Sequence, residues 1–460
     1  MRRSYFVFQP FRAIAFLAVA FTLFSSRFGL GMAYVDICNR ENECKKLSRL
    51  VMGTDHLVQS DWTKEGQPEP TNEEAFRVLD EAAKQGINFF DTSPIYVGGV
   101  EHRLGKWKKS RATQIMDNDF YKEPSLNPDR KLYVLSKGGF PFDLFWAKRL
   151  ERGTHSAELT RELQRQAILD AGATVLEDGT LPLKEVPPGT YASRLFGSQS
   201  QITERVAEEL GHSVRNLNGD ITIYLMHRDD GDAVRFNAVV RPQTAVRTIM
   251  QAVGTHEVAS KFWMLGWSNW QTERINESIK LAEDNKDLPK PIINSPYFSL
   301  FEMSERTIHA LGVQVTHKEM MDPNFQKGIK IMPYSPLGGF SILDKPHPTW
   351  ENAKKAAKEK YEKGDPYWQN VFPSIFTAEN EARWHRVVKF TDLFNKRHGT
   401  DYTVDQMVNA YALAHPRTDL LAVGAITVEQ VRRTVQSLHL SKMLSPQDLE
   451  YLYGGATRSE

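Results

Sequence analysis

Short apolar runs alternate with longer amphipathic stretches along the chain after about residue 45. The runs are continuously apolar, which is typical of strands buried on both faces, as in a parallel sheet. They predict eight strands, at residues 48–53, 87–92, 131–137, 221–228, 261–269, 291–297, 329–336 and 420–425.

The stretches between these runs predict helices, most clearly at 73–86, 202–217, 245–260 and 272–285. Thr71 lies three residues before Glu74, which is the spacing of a capping box, and Gly86 lies where a helix should end. Thr427 is placed to cap a further helix after the last strand.

Eight strands, each followed by a helix, indicate an α/β fold of the (β/α)₈ TIM-barrel type. A doubly wound sheet is the alternative, but its first strand is usually followed by a glycine-rich phosphate turn. Here the first strand ends in Met52, Gly53, Thr54 and Asp55, without that pattern, and Gly29-Leu30-Gly31 precedes the sheet. The sequence therefore favours the barrel.

A barrel of this type needs ~250 residues, so a barrel spanning 34–455 has a surplus of sequence. The surplus falls at about 138–200 and about 338–377, and the second stretch contains the lysine-rich sequence AKKAAKEKYEKG. Both stretches follow strands, so we expect long βα-loop insertions on the C-terminal face, where barrel active sites lie. Such loops are more often lids or binding loops than filler, and disorder is the alternative.

Residues 1–33 differ from the rest of the chain. Arg2 and Arg3 precede the apolar run AIAFLAVAFTLF, and small residues follow before Tyr34. This matches a secretory signal peptide better than a membrane-spanning helix, which needs ~20 apolar residues. The alternative is a true start at Met32. The first interpretation predicts export, the second a cytoplasmic protein, and neither predicts a membrane span.

The charge balance and the cysteine content bear on which classes of molecule the protein binds. There are 58 basic and 57 acidic side chains, which gives no support for a nucleic-acid partner. The only two cysteines, Cys38 and Cys44, exclude a disulfide scaffold and a structural zinc site, and we expect no metal. They flank a turn-like segment, so either they face each other across a hairpin or they are unpaired thiols.

Polar side chains with acid–base chemistry lie at three consecutive strand ends: Asp91, Tyr96, Lys137 and His227. A lysine ammonium next to a phenol should lower the phenol's pKa from ~10, and an aspartate can hold the ammonium in place. A histidine can donate a hydrogen bond to a carbonyl oxygen. Each residue alone has an ordinary structural explanation, but together they could protonate an oxygen during hydride addition to a carbonyl.

The chain closely resembles the aldo-keto reductase family over most of residues 34–440. The matching segments are SRLVMGTD, GINFFDTSPIY with EHRLGKW, YVLSKGG, IYLMHRDD, LGWSNWQTERI, IMPYSPLGG and AVGAITVEQV. The resemblance implies a (β/α)₈ barrel, a nicotinamide cofactor bound without a Rossmann domain, and reduction of an aldehyde or ketone or the reverse. It implies a catalytic tetrad of Asp91, Tyr96, Lys137 and His227, with Tyr96 as the general acid.

The resemblance also implies a cofactor site. Ser268 and Asn269 would hold the carboxamide, and Tyr334 would stack on the nicotinamide ring. The backbone of Ser335, Leu337 and Gly338 would surround the pyrophosphate. The remaining expected cofactor residues are Thr54, Asp55, Asn294, Gly424, Thr427 and Gln430.

Two departures from the family bear on the cofactor, for which NADP is expected and NAD is possible. Asn294 replaces the usual glutamine of strand six. The Lys or Arg that members preferring NADPH carry just after the strand-eight glycine is missing, and the nearest bases are Arg432 and Arg433. Because a phosphate dianion needs a cation or several donors, NADP preference stays open.

The expected partner is a small carbonyl substrate, whose identity the sequence leaves open, as it does the oligomeric state. An alternative function is a cofactor-binding, redox-sensing barrel with little turnover, like the family's ion-channel accessory subunits. The two large insertions motivate this alternative, while the complete tetrad favours an enzyme.

Overall fold

The computed structural model describes residues 32–55, 57, 72–96, 99–116, 131–140, 195–219, 221–230, 243–304, 314–363 and 366–455. All eight predicted strands are present. They are β3 Leu50–Gly53, β4 Phe89–Asp91, β5 Tyr133–Gly138, β6 Ile221–Met226, β7 Phe262–Ser268, β8 Pro291–Ser295, β9 Lys330–Ile331 and β10 Leu421–Gly424. Before them, β1 Tyr34–Cys38 and β2 Cys44–Ser48 form a separate antiparallel hairpin, which the apolar pattern did not predict.

The eight strands form one parallel sheet in the order β10-β3-β4-β5-β6-β7-β8-β9. Backbone hydrogen bonds link the ends of this sheet. Asp419 N and Leu420 N donate to Ile331 O at 3.0 and 3.2 Å, and Ala422 N donates to Pro333 O at 2.8 Å. The sheet therefore curls until β10 meets the chain at and after β9, which is consistent with the predicted α/β barrel.

Helices follow the strands along the chain. They are α1 Asn72–Lys84, α2 Val100–Met116, α3 Gln199–Leu217, α4 Val246–Val253, α5 His256–Ala259, α6 Thr272–Asp284, α7 His317–Met320, α8 Trp350–Glu362, α9 Pro366–Ile375, α10 Ala378–His398, α11 Val404–Ala414, α12 Val428–Met443 and α13 Pro446–Gly454. The single helix predicted at 245–260 is wrong, because the chain breaks at Gly254 and Thr255 into α4 and α5. Glycine is a poor residue for a helix interior, so the break falls there.

Both faces of the sheet are buried, which explains the continuous apolar runs. Val51, Phe89 and Leu135 belong to the cluster inside the barrel. Their neighbours Met52 and Phe90 belong to the larger cluster beneath the helices. Successive strand residues point to opposite faces, so a strand that packs on both faces is mostly apolar rather than alternating.

The hairpin closes one end of the inner cluster. Ile37 and Leu47 are fully buried there. Cys38 and Cys44 are opposite each other in the hairpin register and form a disulfide. This resolves the alternatives left open by the sequence. Arg40 fastens the hairpin to α6 by donating to the carbonyl oxygen of Ala282 at 2.8 Å.

Several expectations fall outside the described residues: most of the leader (1–31), most of the first surplus stretch (141–194), and the cap residue Thr71. The second stretch contains a 3₁₀ turn at Ser341–Asp344 followed by α8 and α9, and residues 353–362 of its lysine-rich sequence lie in α8. Within the described ranges, no helix is both long and apolar enough to traverse a bilayer.

Candidate active site

Lys137 lies at the centre of a buried cluster at the carboxyl ends of β4 and β5. Its Nζ donates to the hydroxyl of Tyr96 at 2.7 Å and to the carbonyl oxygen of Thr92 at 3.1 Å, and it forms an ion pair with Asp91. Lys137 and Asp91 are only 3% and 5% exposed. Parallel pairing brings these groups together, because Asp91 is opposite Leu135, two residues before Lys137.

His227 joins the cluster from the end of β6. Its backbone N–H donates to Gly138 O at 2.6 Å, which continues the pairing between β5 and β6. Its ring centre is 6.1 Å from that of Tyr96, in an edge-on arrangement, and its Nδ1 is 3.3 Å from Ser93 Oγ. The structure thus brings together the four residues that the sequence singled out for catalysis.

Burial dominates the electrostatics of this cluster. It raises the pKa of Asp91, against the opposing effect of the Lys137 ammonium. It lowers the pKa of His227 well below its usual range, helped by the charges of Lys137 and Arg228. The imidazole is therefore neutral near pH 7.

Tyr96 departs from the sequence-based expectation. Burial, followed by the carboxylates of Asp91 and Asp55, raises its phenol pKa well above 10. The expected net lowering by Lys137 is wrong because removing the phenolate from water and placing it near two carboxylates opposes ionisation. Tyr96 consequently retains its proton at neutral pH, and the ammonium contacts a neutral phenol.

Asn269 connects the cluster to the residues expected to hold a nicotinamide. It follows Ser268, the last residue of β7, and has a left-handed backbone with φ 59°. Its Nδ2 donates to His227 O at 3.2 Å, and its Oδ1 accepts from the Tyr334 hydroxyl at 2.7 Å. Ser268 Oγ donates to Ser295 O at 2.9 Å. Ser268, Asn269 and Tyr334 are therefore joined to the His227 side of the cluster.

A tight turn follows Tyr334. Gly338 N donates to Ser335 O at 3.0 Å, and Ser335 and Gly338 have left-handed backbones, with φ 54° and 61°. Leu337 lies between them and is half-buried. Non-glycine residues rarely adopt this conformation. The residues directly after Tyr334 therefore form a turn whose backbone conformation at Ser335 is uncommon for a non-glycine residue.

Thr54 and Asp55 directly follow β3, the strand that pairs with β4. Thr54 N donates to Asp91 O at 3.0 Å. Its hydroxyl is buried and has no hydrogen-bond partner within the described part of the chain. The Asp55 carboxylate raises the pKa of both Tyr96 and Tyr334, so it lies within electrostatic range of both phenols.

Asn294 on β8 has a partner that the sequence did not predict. Its Nδ2 donates to Gln326 Oε1 at 2.8 Å. Its Oδ1 is buried without a hydrogen-bond partner in the residues the structure describes. The Asn294 side chain is therefore held through its amide nitrogen, and its amide oxygen is available to accept a hydrogen bond.

Gly424, Thr427 and Gln430 lie where β10 leads into α12. Thr427 Oγ1 accepts from Gln430 N at 3.2 Å, so the predicted cap is confirmed. Gln430 Oε1 accepts from Ile426 N at 2.9 Å. These residues are adjacent to β3 in the sheet, because Gly424 is opposite Gly53.

Two residues that were not among the predicted site residues, Phe140 and Arg228, lie next to His227. The Phe140 ring centre is 5.1 Å from the His227 ring, and the Arg228 guanidinium is 5.6 Å from the Phe140 ring centre. The position of Arg228 directly after His227 was the available signal. In the described portions of the chain, no group of three His, Cys, Asp or Glu side chains is arranged to hold a metal.

Comparison with known proteins agrees with this architecture. Residues 49–168 and 195–453 match the aldo/keto reductase family. The chain belongs to the aldo/keto reductase family. The resemblance seen in the sequence motifs is thereby confirmed.

Two curated relatives of this aldo/keto reductase are similar over part of their length. Protein tas of Escherichia coli (strain K12) and Protein tas of Shigella flexneri are each 24% identical to it over 246 residues. The match covers 52% of this chain and 63% of each relative. The chain therefore spans less than two thirds of these relatives.

Proposed function

We propose that this aldo/keto reductase reduces an aldehyde or ketone to an alcohol, or catalyses the reverse, with NAD(P)H and with Tyr96 as general acid. The observation that carries the proposal is the 2.7 Å hydrogen bond from Lys137 Nζ to the Tyr96 hydroxyl, in a buried cluster that also contains Asp91 and His227. A protonated phenol beside a fixed ammonium suits proton donation to an oxygen on which charge develops.

Each residue of the cluster has a separate task in this proposal. Tyr96 gives its proton to the carbonyl oxygen, and Lys137 stabilises the phenolate that remains. Asp91 keeps the ammonium in position. If Ser93 donates to Nδ1 of the neutral His227, the proton on Nε2 is free to hydrogen-bond the substrate oxygen.

The described residues fit a nicotinamide nucleotide. The buried Asn294 Oδ1 and Thr54 Oγ1 have no hydrogen-bond partner in the described ranges, and the first can accept a carboxamide N–H. The turn from Ser335 to Gly338 offers backbone N–H groups for a pyrophosphate. In the proposal these residues act with Asp55, Ser268, Asn269, Tyr334, Leu337, Gly424, Thr427 and Gln430. When bound, the cofactor supplies the hydride that adds to the carbonyl carbon.

We also propose that the second surplus stretch, at about 338–377, is a βα-loop insertion that covers the mouth of the barrel. It begins at Gly338, the last residue of the turn after Tyr334. Its Phe340 and Trp350 pack on Trp384 of α10, with ring centres 5.4 and 5.6 Å apart. This aromatic packing supports a fixed cover over the cofactor turn.

Purified protein with NADPH or NADH and a broad panel of aldehydes is expected to show carbonyl-dependent loss of absorbance at the reduced-nicotinamide band. An alcohol should form in equal amount to the cofactor consumed. Cofactor binding without turnover on the whole panel would contradict the proposal and favour the redox-sensing alternative, which no structural observation supports at present.

NADH is expected to serve at least as well as NADPH, because the nearest bases to the end of β10 already hold carboxylates. Arg432 contacts Glu81 at 2.8 and 3.2 Å, and Arg433 lies 3.3 Å from Asp344 and 3.6 Å from Asp405. A 2′-phosphate would have to compete with these ion pairs.

The kcat/KM values for the two cofactors test this expectation. Arg432→Ala should change the kcat/KM for NADPH by less than about threefold. Arg111→Ala is the control and should have an equally small effect, because Arg111 pairs with Glu73 and Asp80 of α1. A tenfold loss confined to NADPH and to Arg432→Ala would show that Arg432 binds the phosphate after all.

A further inference from the structure

The end of β5 is held from the outer face of the sheet, directly behind Lys137. Ser136 is opposite Tyr224, which belongs to the cluster beneath the helices, whereas Lys137 is opposite Leu225 of the inner cluster. Because successive side chains alternate between the two faces of a strand, Ser136 points to the helices while Lys137 points into the barrel. A contact that holds Ser136 therefore fixes the strand where Lys137 projects from it.

Glu101 of α2 is a buried acid that makes this contact. Its Oε1 accepts from Ser136 Oγ at 2.6 Å, and its Oε2 accepts from Asn216 Nδ2 of α3 at 3.3 Å. Glu101 is only 2% exposed. Glutamate is rarely buried to this extent unless it has such partners. Glu101 therefore joins the end of β5 to two helices of the outer layer.

A second buried glutamate, Glu209 of α3, holds the backbone just after β5. Its Oε2 accepts from Gly139 N at 2.9 Å. Next to it, Gly138 lies so close to the Tyr224 hydroxyl that an added methyl group would overlap that side chain. Gly138 O in turn accepts from the backbone N–H of His227 at 2.6 Å. The contacts on the outer face therefore support the backbone of His227 as well as the end of β5.

Glu101 and Lys137 also interact electrostatically across the strand. Burial raises the pKa of Glu101, and hydrogen bonds from Ser136 and Asn216 and the charge of Lys137 oppose that rise. The ammonium that contacts Tyr96 on the inner face therefore lies within electrostatic range of an acid on the outer face.

We propose that Glu101 is a positioning residue for the proton-donating cluster around Lys137. Through Ser136, it holds the end of β5 so that Lys137 Nζ stays 2.7 Å from the Tyr96 hydroxyl. This inference rests on the proposed reductase function and adds to it a residue that touches neither substrate nor cofactor. A misplacement of about 1 Å in a reacting site can cost on the order of 10²-fold in rate, so a fixed strand end matters for turnover.

Glu101→Leu removes the acceptor of the Ser136 hydroxyl and keeps a side chain of similar size. It is expected to lower kcat for aldehyde reduction by about 30-fold, while KM and cofactor affinity change by less than about threefold. Glu101→Gln retains an oxygen that can accept from Ser136, so its kcat should stay within about threefold of the wild-type value.

The solvent deuterium isotope effect on kcat separates positioning from a loss of folded protein. Partial unfolding lowers the apparent kcat, but the remaining folded enzyme keeps the wild-type isotope effect. A misplaced Lys137 slows proton transfer from Tyr96, so the isotope effect of Glu101→Leu should exceed that of the wild type.

Asp80→Asn is the matched control, because Asp80 is a carboxylate that joins α2 to α1 instead of to β5. It accepts from Trp107 Nε1 at 2.8 Å and pairs with Arg111 at 2.9 Å. This variant should lose stability in urea unfolding, while its kcat and its isotope effect remain those of the wild type.

Ser136→Ala breaks the same contact from the strand side and keeps the inference testable if Glu101→Leu does not fold. It is expected to lower kcat by about tenfold, since one hydrogen bond to an acid is lost. In the double variant, Ser136→Ala should add little to the effect of Glu101→Leu, because both substitutions remove one shared contact.

The outcomes distinguish the inference from the function on which it rests. Wild-type kcat in both Glu101→Leu and Ser136→Ala would overturn the role of Glu101 alone. So would a loss that Glu101→Gln shares in full with an unchanged isotope effect, because Glu101 would then only stabilise the fold. Wild-type protein without turnover on the aldehyde panel contradicts the reductase function, and the inference falls with it.

Discussion

Replacing Tyr96 with phenylalanine is expected to lower kcat for aldehyde reduction by about 10³-fold. General acid catalysis by a positioned side chain typically contributes 10²–10⁴-fold. The substitution removes only the hydroxyl that accepts the hydrogen bond from Lys137 at 2.7 Å, and it leaves the ring in place. Cofactor affinity, followed by quenching of tryptophan fluorescence, should therefore change by less than about threefold.

Tyr34→Phe is a matched control for this experiment. It removes a hydroxyl that donates to Gly86 O at 2.9 Å, beside the hairpin and away from the Lys137 cluster. That variant should lose about 1 kcal/mol of unfolding free energy and keep its kcat. A Tyr96→Phe protein that retained more than a tenth of wild-type turnover would show that another group donates the proton.

Gly105→Ala is expected to reduce the free energy of unfolding by about 3 kcal/mol, near the upper end for overpacking a tight interior. Gly105 lies in α2, where it faces α3. A methyl group added there would overlap the backbone carbonyl oxygen of Asn216. Because backbone cannot turn away as a side chain can, the two helices would have to separate.

Gly211→Ala in α3 is the matched control, because the nearest atom to its new methyl group is the Arg215 guanidinium, 3.6 Å away. In that open position alanine should raise the free energy of unfolding by about 0.5–1 kcal/mol through its better helix propensity. Urea unfolding followed by circular dichroism measures both effects. If the two variants were equally stable, the close packing of α2 on α3 would be wrong.

The eight strands of the sheet could be predicted because each is buried on both faces, so its sequence is mostly apolar rather than alternating. The hairpin could not, because its strands YVDIC and CKKLS contain charged residues and are mostly half-buried, and each buries a single apolar residue, Ile37 or Leu47. The break between α4 and α5 was missed because the amphipathic pattern continues across Gly254. The apolar pattern therefore predicts elements whose burial recurs regularly along the sequence. It does not predict a feature that a single residue determines, such as the break at Gly254.

The four residues of the proton-donating cluster could be singled out because parallel strands bring their carboxyl ends to one rim. The pKa of Tyr96 could not be predicted, since its direction depends on the sum of burial and charges from several strands. Gln326 was missed for a related reason, because its contact with Asn294 arises only when distant segments pack together.

The pairing of β10 with β3 joins residues 421–424 to residues 50–53. During synthesis on the ribosome, β3 can pair with β4 early, but its other edge must wait for nearly all of the chain to emerge before β10 exists. Until then both margins of the growing sheet expose unpaired peptide groups, which invite association between nascent chains. Premature termination before Leu421 would leave that state permanent, so shortened products of this gene should accumulate as aggregates rather than as soluble fragments.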